Sequence, residues 1–389
     1  MKVGQFTDTF LPVVDGVGRV VSHYAQGLGE RCEACYVITP GHGDVELQNG
    51  SYKVLGYRSV PLPRLQQYRL GFPMLDAGYR RRLDALQLDI AHAHSPFIAG
   101  REALRYARRR GVPLVATFHS KYYDDFYQIT HSKALARLGT RYILDFFDRC
   151  DQVWAVSPST AEVLRSYGYR GSIEVVENGM DRKEVDLEAV QTAEAQFALG
   201  QKPVLLFVGQ MNWKKNIRRI LAAVDIVVKQ GHELRLVMVG QGPSEREIRA
   251  LSSSLGLHHV VIYTGHIQDQ RLLQGLYARA DLFVFPSLYD NAPMVVREAA
   301  AVGTPSLLAL GSTAADAVRN MENGLLAKDT DMDMAQGIAW ALDHPGRLRE
   351  IGLKARMTIP RPWKDILAEV LGRYQDLVRT HQSRSLRLK

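Results

Sequence analysis

The chain has 389 residues, too many for one ordinary core and suited to two domains. Its apolar share of 46% and charged share of 23% are those of a globular protein, and no apolar run approaches the ~18 residues of a membrane span. The formal charge of +8 favours anionic partners such as phosphates or acidic lipid; nucleic acid is not expected, because aromatic and basic residues are not interleaved in any recognisable binding module.

The N-terminus, Met1 to Asp8, has no signal-peptide core and reads as the start of a first strand, Lys2–Phe6, so a cytoplasmic location is expected. Further strands are expected at Tyr36–Thr39, Ile90–Ala93, Leu114–Thr117, Gln152–Val156 and Ile173–Val176. Helices are expected at Arg19–Leu28, Ala77–Leu86, Glu102–Arg110 and Ser159–Tyr167, the last opened by a capping box of Ser159 and Glu162. Met180 to Gly200 is polar and reads as a linker with one helix. The rhythm then restarts. Strands fall at Val204–Val208, Leu234–Val239, Val260–Tyr263, Leu282–Phe285, Ser306–Leu308 and Leu325–Ala327. Helices fall at Ile217–Gln230, Glu245–Leu255, Arg271–Ala278 and Met334–Leu342. After Pro360 and Pro362 a final helix runs from Trp363 to Arg379. Such alternation implies an α/β protein with parallel sheets covered on both faces.

Among the three cysteines, Cys32 and Cys35 form a C-x-x-C and Cys150 stands alone, so cysteines cannot supply a four-ligand zinc site. Cys35 opens an apolar run and reads as a core thiol. His92 and His94 end a strand and are expected on opposite faces, which argues against a shared ion. Asp329, Asp331 and Asp333 precede a helix and read as capping and dipole compensation rather than a metal site. Basic clusters at Arg80–Arg82, Arg108–Arg110 and the tail residues Arg384, Arg387 and Lys389 keep docking on an anionic membrane surface open.

Chemistry is expected where strands run into loops. Gly16 and Gly18 follow the first strand and open a helix, a turn that lets backbone approach a negative ligand. This is not a G-x-G-x-x-G, which counts against a dinucleotide oxidoreductase. His119 ends a strand, with Lys121, Tyr122 and Asp124 close behind. Gln210, Lys214 and Lys215 lie between a strand and a helix, where positive charge opposes the dipole and wants a reason. From Phe285 to Pro305, Asp290 and Glu298 stand with seven residues between them, Pro293 at a helix start and Gly303 at its end.

These motifs, in this order over nearly the whole chain, resemble the retaining family 4 glycosyltransferases. The last carries their Glu, seven residues, Glu and Gly-x-Pro signature, with Asp290 in place of the first Glu. Gly240-Gln-Gly242-Pro243 and Asn178-Gly-Met-Asp181 match two further family turns. The resemblance implies the GT-B fold: two facing Rossmann-like domains, 1–184 for the acceptor and 200–358 for the nucleotide-sugar, with 361–389 crossing back to the first.

It also implies transfer of a hexose from a nucleotide diphosphate-sugar, with UDP the expected nucleotide, to a hydroxyl, by front-face attack assisted by the leaving phosphate, with no cofactor and no metal. His119, Asp290 and Glu298 would be catalytic. Gly16, Gly18, Gln210, Lys215, the backbone N–H groups of Asn291, Ala292 and Met294, and Glu298 would hold the donor. Lys121, Tyr122 and Asp124 are acceptor-side candidates, and Asp316 has a supporting role. Gln210 replaces the family's Arg, and Pro293 its Gly. The opening Thr7 to Val17, the basic helices and the apolar Leu70–Leu75 tilt the acceptor toward a glycolipid or envelope glycan, with the enzyme peripheral at the inner membrane face. A nucleotide-sugar epimerase or a phosphorylase of the same fold, a small soluble acceptor and, more remotely, a non-enzymatic nucleic-acid binder are the alternatives.

Overall fold

A computed structural model describes residues 1–11, 15–41, 44–46, 50–62 and 65–387; the side chains of 44–46, 65–68 and 384–387 lie outside the description, as do Arg384 and Arg387 of the basic tail and Lys389. The chain forms two compact units, Met1–Gly179 with Trp363–Lys389, and Met180–Pro362.

The first unit is built on an eight-stranded sheet in the order Glu174–Val175, Gln152–Ala155, Leu114–Phe118, Ile90–Ala93, Lys2–Phe6, Ala34–Pro40, Lys53–Tyr57 and Asp44–Glu46. All neighbours are parallel except the last pair. Strands such as Leu114–Phe118 are buried along their whole length, as a parallel sheet covered on both faces requires. A hairpin of Ser59–Leu62 and Leu65–Gly71 and two helices, Tyr122–Thr130 and Lys133–Phe147, stand beyond the elements expected from sequence. The helix near 160 spans Pro158–Ser166 and is capped by Ser157, whose Oγ accepts from Thr160 N–H, so Ser159 and Glu162 do not form the expected box.

The final helix, Trp363–Arg387, belongs to this unit. Trp363 stacks on His23 with ring centroids 4.5 Å apart. Gly27 lets the helices meet: a Cβ there would lie 2.1 Å from Leu367. Tyr374 is fully buried and reaches Gln5 and His92 on the central strands.

The second unit holds six parallel strands in the order Val261–Gly265, Arg235–Val239, Val204–Val208, Leu282–Phe285, Ser306–Ala309 and Leu325–Ala327. This is a doubly wound sheet whose strand order reverses between Val204–Val208 and Leu282–Phe285. The stretch read as a linker is part of the second unit. Its helix, Leu187–Gln196, packs on Gln270–Arg279, where Asp186 and Glu188 both pair with Arg271 and Glu194 pairs with Arg279. A Cβ on Gly275 would meet Ala189 O at 2.2 Å, so the two helices are in direct contact.

Candidate active site

Doubly wound sheets bind ligands beyond the carboxyl ends of their strands, where the strand order reverses. In the second unit two loops leave that point, Gly209–Asn216 and Pro286–Pro293. A neighbouring turn shapes the first. Gly240 has φ +131° and a Cβ on it would stand 1.9 Å from Gly209 O. A Cβ on Gly242 would stand 2.5 Å from Met211 O. The Gly-x-Gly turn is thus required by close backbone packing, and Met211 N–H and C=O both bond to it and its neighbour Ser244.

Asn212 accepts from Lys214 N–H and starts the short turn Trp213–Lys215, which aims Lys215 at the second loop. Its Nζ donates to Asp290 Oδ1 at 2.5 Å, with both side chains more than four-fifths buried. Ser287 Oγ donates to Asp290 Oδ2 at 2.6 Å. Lys214 lies 4.8 Å from the centre of the Tyr289 ring, a cation–π contact, and Gln210 is exposed. The carboxylate is therefore the reason for a cation at this position. Asn216, at φ +58°, and Arg219 both bond to Asp329, and Arg219 also pairs with Asp331. Thr330, not an aspartate, caps the following helix by accepting from Asp333 N–H.

Pro293 is the N-cap of helix Met294–Val302, and Gly303, at φ +90°, ends it. Met294 is the first helical residue, so its N–H has no acceptor within the helix. Glu298 lies one turn further in and is buried, with Oε2 accepting from Tyr277 OH at 2.9 Å. Ala292 holds φ +41°, a conformation that L residues rarely adopt. Asp316 follows the short turn Thr313–Ala315 and is exposed.

The first unit has its own reversal point, between Lys2–Phe6 and Ile90–Ala93. The expected opposite facing of His92 and His94 is overturned. Residues two apart on a strand share a face, and their rings lie 4.1 Å apart. Both are fully buried in a hydrogen-bonded chain. His119 Nε2 is 3.1 Å from His94 Nδ1, His94 Nε2 is 2.6 Å from Gln5 Oε1, and Gln5 Nε2 donates to Tyr374 OH at 3.2 Å. Tyr374 OH is 2.5 Å from His92 Nδ1, and His92 Nε2 is 2.7 Å from Thr117 Oγ1.

Burial holds all three histidines neutral, with His119 pushed down to about 4. Their tautomers then follow from the amide of Gln5. His94 donates from Nε2 and accepts at Nδ1, so His119 carries its proton on Nε2.

Asp8 takes part in the same unit, accepting from Ser95 Oγ at 2.5 Å and from Ala99 N–H at 2.9 Å in the first turn of helix Ile98–Arg110; burial raises its carboxyl. Asp15 caps helix Gly16–Gly29 by accepting from Gly18 N–H at 2.6 Å, and Gly16 faces open space where a side chain would stand. Tyr122 is buried, Lys121 half-buried and Asp124 exposed.

Residues 14–184 match the Glycosyltransferase Family 4 family and residues 191–358 the Glycosyl transferases group 1 family. The chain belongs to the group 1, family 4 glycosyltransferases. It is 25% identical over 316 residues to the alpha-monoglucosyldiacylglycerol synthase of Streptococcus pneumoniae, covering 78% of this chain and 70% of that one. It is 24% identical over 389 residues to a GDP-mannose-dependent alpha-mannosyltransferase of Corynebacterium glutamicum, covering 98% and 90%. Its fold is that of the Anabaena protein Alr3699/HepE, solved with UDP and glucose, at a TM-score of 0.77, 17% identity and coverage of 97% and 100%. This glycosyltransferase therefore has the GT-B fold and acts on nucleotide sugars.

Lys215 and Asp290 are brought into contact, and Glu298 stands on the helix that follows Asp290. His119 belongs to the other unit. Sequence reasoning missed Tyr277, Ser287, Gln5 and Tyr374. Ser287 carried a local signal, a serine three residues before an aspartate at a strand end. The other three meet their partners only through tertiary packing.

Proposed function

We propose that this glycosyltransferase moves a hexose from a UDP-linked donor to a hydroxyl of a glycolipid or envelope glycan and keeps the anomeric configuration. The observation that carries the reading is the part-buried Lys215–Asp290 pair at the reversal point of the second unit's sheet. A diphosphate competes for Lys215 with more charge than one carboxylate can offer. Donor binding then moves Lys215 onto the phosphates and releases Asp290 to a sugar hydroxyl. Lys215 offsets charge as the nucleotide leaves, an electrostatic role. Glu298, oriented by Tyr277, takes the ribose hydroxyls. N–H groups at the start of helix Met294–Val302 add partial positive charge. Gln210 supplies a hydrogen bond without a formal charge, so Lys215 carries more of the load.

His119 positions the sugar. The second unit binds the donor and the first the acceptor, with Lys121, Tyr122 and Asp124 on the acceptor side. Both relatives named above make alpha linkages by name, and common hexosyl donors are alpha-linked, which supports retention by front-face attack. The streptococcal relative's lipid product supports a lipid-linked acceptor. Lys215 and the helix-start N–H groups supply positive charge to the phosphates, and no metal is assigned to the site. Asp329 and Asp331 are already paired to Arg219, which supports that reading.

A thermal-shift panel of UDP-, GDP- and ADP-hexoses tests the donor. A ligand at about 100 times its Kd adds ~2.7 kcal/mol. The UDP-sugar is expected to raise Tm, and Lys215→Met to abolish the rise. Transfer is expected to survive EDTA and to give an alpha product by NMR. A beta product, or no shift with any sugar nucleotide, overturns the reading.

A further inference from the structure

Three residues beyond His119 the chain enters a pair of helices, Tyr122–Thr130 and Lys133–Phe147, turned by His131 at φ +50° and capped by Ser132. The second helix buries Ala136, Thr140, Ile143, Phe146 and Phe147. A water-facing helix would carry polar residues on its other side. Here that side is apolar as well: Leu135 is 52% exposed, Leu138 63% and Tyr142 51%, and Ile129, at the end of the first helix, is 79% exposed.

Beside this apolar stripe run Lys133, Arg137 and Arg141, spaced four apart and exposed. Among the described residues none of the three has an ion-pair partner, whereas Arg101, Arg105, Arg109 and Arg149 of the same unit all do. From Tyr127 to Tyr142 the sequence contains no Asp or Glu, in a chain that has 41. An exposed apolar stripe flanked by uncompensated cations is the pattern of a helix lying in the headgroup layer of an acidic membrane.

The Arg108–Arg110 cluster singled out in the sequence fits that purpose less well. Arg109 and Arg110 both turn to Asp84.

We propose that this helical hairpin is the surface by which the enzyme docks on an anionic lipid bilayer, its apolar side chains entering the headgroup boundary and Lys133, Arg137 and Arg141 meeting lipid phosphates. The hairpin opens at Tyr122, so docking brings the acceptor-side residues Lys121, Tyr122 and Asp124 to the lipid surface; this purpose rests on the proposed lipid-linked acceptor.

The test is co-sedimentation of the full chain, without donor, with vesicles of phosphatidylcholine alone or mixed with phosphatidylglycerol. Binding is expected only to the mixed vesicles and is expected to weaken as salt rises. Lys133→Ser/Arg137→Ser/Arg141→Ser is expected to lower partitioning on the order of 100-fold. Leu135→Ser/Leu138→Ser is expected to abolish binding. Arg80→Ser/Arg81→Ser, elsewhere on the unit, is expected to bind as wild type. The donor-induced rise in Tm should persist in all three and show that they are folded. Absence of wild-type binding, or binding unchanged in the hairpin variants, overturns the proposal. So does a wild-type dimer made monomeric by Leu135→Ser/Leu138→Ser with vesicle binding intact, because the stripe then covers a second copy. Vesicle binding involves no turnover, so its loss leaves the transferase reading standing, and binding without transfer to lipid rejects only the acceptor.

Discussion

Ala292 shows what one side chain costs at the site. Its φ of +41° lies in the left-handed region, where a Cβ is destabilising by roughly 1–2 kcal/mol, and glycine returns part of that as greater freedom of the unfolded chain. Ala292→Gly is therefore expected to raise stability by about 0.5–1 kcal/mol in urea unfolding; a loss of stability would show that the backbone there is unstrained. Tyr277 makes a different point. Its hydroxyl holds Glu298 Oε2, and the ring is buried under helix Met294–Val302. Tyr277→Phe keeps the ring and removes the bond, so KM for the donor should rise about 10- to 100-fold, the worth of one hydrogen bond to a charged group. An unchanged KM would remove Tyr277 from the site. The placement of Asp290 in a loop and Glu298 on the helix that follows could be read from sequence, because only seven residues separate them; the contact of Lys215 with Asp290, 75 residues apart, could not. Tyr277 lies 21 residues before Glu298 and meets it only after two helices pack.

At the scale of elements, strand positions in both halves follow from short apolar runs between loops, and most boundaries agree with the sequence reading to within two residues. Helices Tyr122–Thr130 and Lys133–Phe147 escaped it. Their outward faces carry Leu, Ile and Tyr, which blurs the contrast of apolar and polar sides on which helical periodicity depends. The hairpin Ser59–Gly71 escaped because Pro61 interrupts its first strand. The pairing of the last helix with the first unit was legible only through family resemblance, since nothing local in Trp363–Arg387 names its partner.

That helix supplies Tyr374, the link between Gln5 and His92. Without the hydroxyl, the Gln5 amide loses the contact that orients it and can turn its Nε2 toward His94, which reverses the proton order up to His119. Tyr374→Phe is thus expected to shift His119 toward the Nδ1–H tautomer in 15N spectra of histidine-labelled protein and to lower kcat/KM about tenfold. A wild-type His119 already protonated on Nδ1 would refute the tautomer assignment.

For the molecule as a whole, His92, His94 and His119 couple folding to acidity. Burial depresses all three, so below pH ~6.5 the unfolded chain binds protons that the native state refuses. Their contribution is fully present above ~6.5 and is lost as pH falls below it, for His119 down to about 4, at up to ~1.4 kcal/mol per pH unit for each histidine. Asp8 and Asp15, whose carboxyls burial raises, oppose this trend. Urea midpoints measured from pH 7 to 5 should fall steeply, and a flat profile would mean that the three imidazoles are not buried as neutral rings.

The assignment of Trp363–Arg387 to the first unit has a consequence for how the protein is made. A ribosome delivers Met1–Gly179 first, then the whole of Met180–Pro362, and only then the segment bearing Leu367 and Tyr374. At 5–20 residues per second the nascent first unit waits roughly 10–40 s for its last helix, while the second, contiguous in the chain, can finish on its own. Until then the pocket for Tyr374 has no occupant, so the earlier-born half of the enzyme is the later to mature and the one most in need of chaperones during translation.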